Sequence, residues 1–162
     1  MRIIPVVLSA ALAVAGLTAA SAQHRHTHTH SDTPANTAAD DKREFVKFPP
    51  QLVEHTLANM RDHLLALQEI QDHLGKGGFD IAARVAEERL GMTSLKLHGA
   101  HDVAKFMPQG MQDAGTAMHK TASRFAVQAT DAGVTGDYKA ALAALAQVTS
   151  TCIACHAGYR IR

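Results

Sequence analysis

The chain has 162 residues, with 16 Lys and Arg against 15 Asp and Glu and a formal net charge of +1. That length suits one folded domain, and the near-neutral balance offers no field to draw nucleic acid or an anionic membrane surface, so neither is expected as a partner. Apolar residues make up 46% of the chain but aromatics only 4%, with no Trp; such a composition favours closely packed helices over a sandwich of aromatic and β-branched strands.

Arg2, the apolar run Ile3 to Leu17 and the small residues Ala20-Ser21-Ala22 have the layout of a secretory signal cleaved after Ala22. The run is too short to span a bilayer, and no Cys follows the cleavage site to take a lipid, so no membrane anchor is expected. In a bacterial chain, export means the periplasm. Residues 23–43 follow as a polar tail without apolar period, expected to be disordered. It carries His24, His26, His28 and His30 at alternate positions, a spacing that lets imidazoles converge on Cu(II), Ni(II) or Zn(II).

Residues 44–162 are expected to form the folded domain. After Pro49-Pro50, the apolar positions Val53, Leu57, Met60, Leu64, Leu67 and Leu74 recur at helical steps until Gly75-Lys76-Gly77-Gly78. A second helix is predicted from Phe79 through Ala83, Ala86, Leu90, Thr93, Leu97 and Ala100 to Ala104, bent near Gly91 or Gly99 and ended by Phe106-Met107-Pro108-Gln109-Gly110. Met111, Ala114, Met118, Phe125, Ala129 and Ala132 mark a third, stopping at Gly133. With Asp137 as cap, Tyr138, Leu142, Leu145, Thr149, Cys152, His156 and Tyr159 form the stripe of a fourth. Four amphipathic helices with short connections pack most simply as an antiparallel up-down-up-down bundle, an all-α fold. No segment reads as a strand.

Cys152-Ile153-Ala154-Cys155-His156 is a C-x-x-C-H sequence, the pattern of c-type haem attachment. At about 100° per residue, Cys152, Cys155 and His156 fall within an arc of about 100° on one helix face. Two sulfurs can therefore form thioethers to one haem edge while the imidazole reaches the iron, placing the haem in the bundle core near the C-terminal helix. A C-x-x-C dithiol of the thiol oxidoreductase kind is the competing chemistry, but here the pair lies near a helix C-terminus, where the dipole opposes a thiolate. A zinc site would need ligands at spacings the sequence does not show.

The export signal, the four helices and the terminal Cys152-Ile153-Ala154-Cys155-His156-Ala157-Gly158-Tyr159-Arg160 together resemble the class II c-type cytochromes, the cytochrome c′ family. Lys105-Phe106-Met107-Pro108 is similar to the turn after the family's second helix. The resemblance implies that Cys152 and Cys155 are the thioether anchors, His156 the proximal ligand and Arg160 a basic residue near the haem edge. It also implies two branches: an apolar distal residue leaves five-coordinate iron that binds nitric oxide or carbon monoxide, and a Met gives six-coordinate iron suited to electron transfer. Met60 stands at the middle of the first helix's stripe and is the expected sixth ligand, a pairing that raises the reduction potential. One turn earlier, where the family often has a basic residue, stands Thr56.

His63, about 60° from Met60 on the helix, is the rival sixth ligand, whereas His55 and His73 are expected to face solvent. His98, His101 and His119 are expected at the surface or its boundary, though each could approach a haem propionate. Met92, Met107, Met111 and Met118 are read as packing residues. Tyr159, three positions beyond His156, would cover the haem edge or donate a hydrogen bond to it. The expected function is therefore that of an exported monohaem electron carrier, not an enzyme, serving periplasmic redox proteins, and helix-mediated pairing into a homodimer fits such bundles.

Overall fold

A computed structural model describes residues 41–161, which lie within one compact unit, Ala38–Arg162. The signal segment and the tail histidines lie outside the described residues. Asp41 and Arg43, assigned to the tail by sequence, are held in place: the Arg43 guanidinium donates to the Asp41 carboxylate (Nε to Oδ1, 2.9 Å), which also lies 3.5 Å from Arg160 Nε.

The described chain is predominantly helical, in the order β1 (Glu44–Val46), α1 (Pro50–Gly75), α2 (Phe79–Arg89), a 3-10 turn (Met92–Leu95), α3 (Ala100–Ala104), α4 (Gln109–Thr135), α5 (Tyr138–Gly158) and β2 (Tyr159–Ile161). Pro50 opens α1 at a position where its missing N–H costs nothing, and the Asp137 carboxylate caps α5 by accepting from the Ala140 N–H at 3.1 Å. The close packings are α1 on α2, α2 on α4 and α4 on α5. Their shared core joins Ala66 and Ile70 of α1, Ala82 and Ala86 of α2, Phe125 and Ala129 of α4, and Leu145 and Val148 of α5. Small residues at these contacts let the helix backbones approach closely. Arg89 fastens α2 to α1, donating from Nε to Asp62 Oδ2 at 3.2 Å and from Nη2 to the Asp62 carbonyl at 3.2 Å, with Glu69 as a further partner.

The predicted second helix is three pieces. α2 stops at Arg89; Gly91 and Gly99 bracket the 3-10 turn, and Gly99 takes the left-handed conformation (φ 60°) that L side chains rarely adopt. Thr93 and Leu97 are consequently exposed, while Ser94 and His98 are buried. Other expected core positions move too. Leu57, Leu64, Tyr138 and Leu142 are exposed and Met60 is half-buried, whereas α1 buries Thr56, His63, Ala66 and Ile70. Met92 is also exposed rather than packed. α4 extends through Gly133 to Thr135.

Two short strands, unread in the sequence, pair in parallel with Glu44 opposite Tyr159, Phe45 opposite Arg160 and Val46 opposite Ile161. Each is three residues long, too short to display a period of two. They bring Val46 and Phe48 onto Val103 and Met111, a second apolar cluster against which Cys155, Tyr159 and Ile161 pack. α5 is long and apolar enough to cross a membrane by length and composition, yet Ala141, Leu145 and Val148 lie in the core.

Phe125 is fully buried at the centre of the main core. Phe125→Ala is expected to cost about 3–5 kcal/mol of unfolding free energy, read as a lower urea midpoint with unchanged slope.

Candidate functional site

Between the first half of α1, the α3 region, the start of α4 and the end of α5 lies a cavity of about 590 Å³. It exists because α2 ends early: the backbone around Gly91 and Gly99 carries no long helix across this end of the molecule, and Leu57 and Met60 line the space instead of meeting a partner. The volume falls in the range of small-molecule and cofactor sites. Met60, His63, Cys155, His156, Tyr159 and Arg160, all singled out in the sequence, line this one cavity.

Cys152 does not line it. Its thiol is half-buried against the main core and donates to the Val148 carbonyl at 3.4 Å. Both thiols are free, and burial pushes both above the usual thiol range. His156 is exposed at the last turn of α5. Tyr159 has left the helix (φ −131°, ψ 151°), so the expected spacing of three along a helix does not hold; it lines the cavity from β2 instead, its hydroxyl against Gly110. A Cβ at position 110 would collide with that hydroxyl. Arg160 places its guanidinium carbon 5.2 Å from the centre of the Phe45 ring.

The histidines expected at the boundary are a buried group. His63, His98 and His119, with Ser94 between the last two, form one wall of the cavity. His63 Nε2 and His98 Nε2 are 3.4 Å apart. His119 Nδ1 donates to the Leu90 carbonyl at 2.8 Å, and Ser94 Oγ donates to the Gly91 carbonyl at 2.7 Å. His55, expected in solvent, is half-buried and donates from Nε2 to the His98 carbonyl at 2.9 Å, which also accepts from Asn59 Nδ2 at 3.1 Å. His101 is exposed, as expected.

Burial is the main cause that holds all three imidazoles below the ordinary histidine range, reinforced at His63 by His98 and His119 and partly opposed by the Asp62 carboxylate. His63 is held at about 4. Sequence reasoning also missed Thr56, whose hydroxyl Oγ1 is buried without a hydrogen-bond partner on a residue that lines the cavity. Its signal was its position seven residues before His63, on the same helix face.

Compared with known proteins, the chain matches no family model, no curated protein and no solved structure.

Because His63 binds its proton near 6.5 when unfolded and near 4 when folded, the unfolded chain takes up that proton first on acidification. Stability should be fully present above pH 6.5 and fall as the pH drops towards 4, by on the order of 3 kcal/mol for this group. Urea midpoints across that window check it, and His63→Gln should flatten the dependence.

Proposed function

We propose that the chain is an exported monohaem c-type cytochrome of the cytochrome c′ kind, a periplasmic one-electron carrier rather than an enzyme. In this reading α1, α2, α4 and α5 make the four-helix bundle, and haem c occupies the cavity, anchored by Cys152 and Cys155 and ligated by His156 and Met60. One observation carries the proposal: Cys155 and His156 of the C-x-x-C-H motif and Met60, nearly a hundred positions earlier in the sequence, line the same cavity.

The residues present fit the group. Two thiols and an imidazole on the last turns of α5 are the donor set of covalent haem attachment, and the Thr56 hydroxyl leaves an unpaired polar atom for a bound molecule's polar edge. Cys152 must turn its sulfur from the Val148 carbonyl to take part. When bound, the haem supplies an iron that takes up and releases one electron. The chain's own residues set the conditions: Val103, Met107 and Met111 surround the site with apolar surface, and a thioether from Met60 favours the reduced state. Arg160 brings positive charge to the cavity mouth beside Asp41.

His63 is the weaker candidate for the sixth position, because its Nε2 already faces His98 Nε2. A thiol oxidoreductase is disfavoured by thiols that burial keeps protonated. Unidentified periplasmic redox proteins are the proposed partners. His24, His26, His28 and His30 are proposed to take up Cu(II), Ni(II) or Zn(II) independently.

Haem should stay with the polypeptide through acid-acetone extraction and denaturing electrophoresis, and replacing Cys152 and Cys155 by Ala should release it. A colourless protein with two reversibly oxidised thiols overturns the reading. Met60→Ala should convert low-spin iron to high-spin and abolish the near-infrared band of sulfur ligation. A wild type already high-spin and avid for carbon monoxide would make the protein a gas binder. A Met60→Ala variant that stays low-spin, with His63→Ala losing that state, would make His63 the ligand.

A further inference from the structure

The three buried histidines have no role in anchoring haem, and their hydrogen bonds determine where their lone pairs point. A carbonyl only accepts, so the bond from His119 Nδ1 to the Leu90 oxygen fixes the proton on Nδ1 and leaves Nε2 of the neutral ring a bare acceptor. Ser94 spends its hydroxyl proton on the Gly91 carbonyl, so towards His98 Nδ1, 3.4 Å away, its oxygen accepts. His98 is thereby also protonated on Nδ1, and its Nε2 lone pair faces His63 Nε2 at 3.4 Å. A carbonyl or hydroxyl holding the outer ring nitrogen is the usual support of a metal-ligating histidine.

We infer that His63 and His98 bind a divalent transition-metal ion through their Nε2 atoms on the cavity wall, at a site separate from the Cys152–His156 motif, with His119 strengthening it. Two imidazole nitrogens each about 2.0–2.1 Å from a tetrahedral ion lie about 3.4 Å apart, and that is the separation of this pair. As a direct hydrogen bond the same distance is long, so the pair is poorly satisfied without an ion. Imidazole nitrogen selects Zn(II), Cu(II) or Ni(II) over the harder cations. Burial keeps the rings neutral at pH 7, the state a metal requires. The ring centres of His119 and His98 are 5.4 Å apart and those of His119 and His63 are 6.4 Å apart. Among the described residues no group of three or more His, Cys, Asp or Glu closes around one point. The pair therefore defines the site, and the open cavity leaves its remaining positions to water or a small ligand.

The test uses the full chain with His24, His26, His28 and His30 replaced by Ala, so that the tail takes no metal. Calorimetric titration with Zn(II) should give one ion per chain, with affinity falling at least a hundredfold in His98→Gln or His63→Gln, about tenfold in His119→Gln, and unchanged in His101→Gln. Zn(II) should also shift the ring-nitrogen resonances of His63 and His98 in the protein that retains them, a readout that does not depend on a variant folding. No stoichiometric uptake, or uptake indifferent to His63 and His98, overturns the inference. Because the pair needs no haem, a colourless protein that binds one Zn(II) through these histidines would refute the cytochrome reading and leave this one standing.

Discussion

The interruption of the second helical segment is the constraint on which the rest of the molecule depends. Gly99 in the left-handed region turns the chain so that the His98 carbonyl points at α1, where His55 and Asn59 capture it. Without that turn a continuous helix would carry side chains into the space now occupied by the cavity. With it, the main core is confined to the end of the molecule where α1, α2, α4 and α5 meet. The other end is held by a smaller cluster and lined by side chains that do not fill it. The buried polar wall follows from the same turn. Ser94 and His98, which a regular helix would have shared out between faces, both point inward beside His119.

The pairing of β1 with β2 has the complementary task. A helix that ended free at Gly158 would fray, and Cys155 and His156 lie in its last turn. The parallel register of Phe45 with Arg160 ties that end to the start of the folded unit, and Val46 and Ile161 carry the tie into the cluster beneath the cavity. The segment before α1 is thus a brace for the candidate site. Asp41, bonded to Arg43 and close to Arg160, extends the brace to the first described residue.

The helical character, the ends of α1, the cap of α5 and the inner face of α4 were legible in the sequence because proline, glycine, aspartate and long-period apolar spacing each act locally. The motif residues were legible for the same reason, since Cys152, Cys155 and His156 are neighbours. The inner face of α1 was not. Counting leucines centred its stripe on Met60 and Leu64, whereas the packed face runs through His63, Ala66 and Ile70, where small and polar residues allow close contact with neighbouring helices. His98 and His119 were misread because their burial depends on a turn and on carbonyls at Leu90 and Gly91 that only the fold brings near. The strands escaped notice because three residues cannot show a pattern.

The most direct test of the central claim is the intact mass of the protein purified from a periplasm able to attach haem, measured after unfolding and treatment with a thiol-alkylating reagent. The account predicts a polypeptide heavier by one haem and carrying no alkyl group, because Cys152 and Cys155 are both spent in thioether bonds. A polypeptide of bare mass with both cysteines alkylated would contradict it.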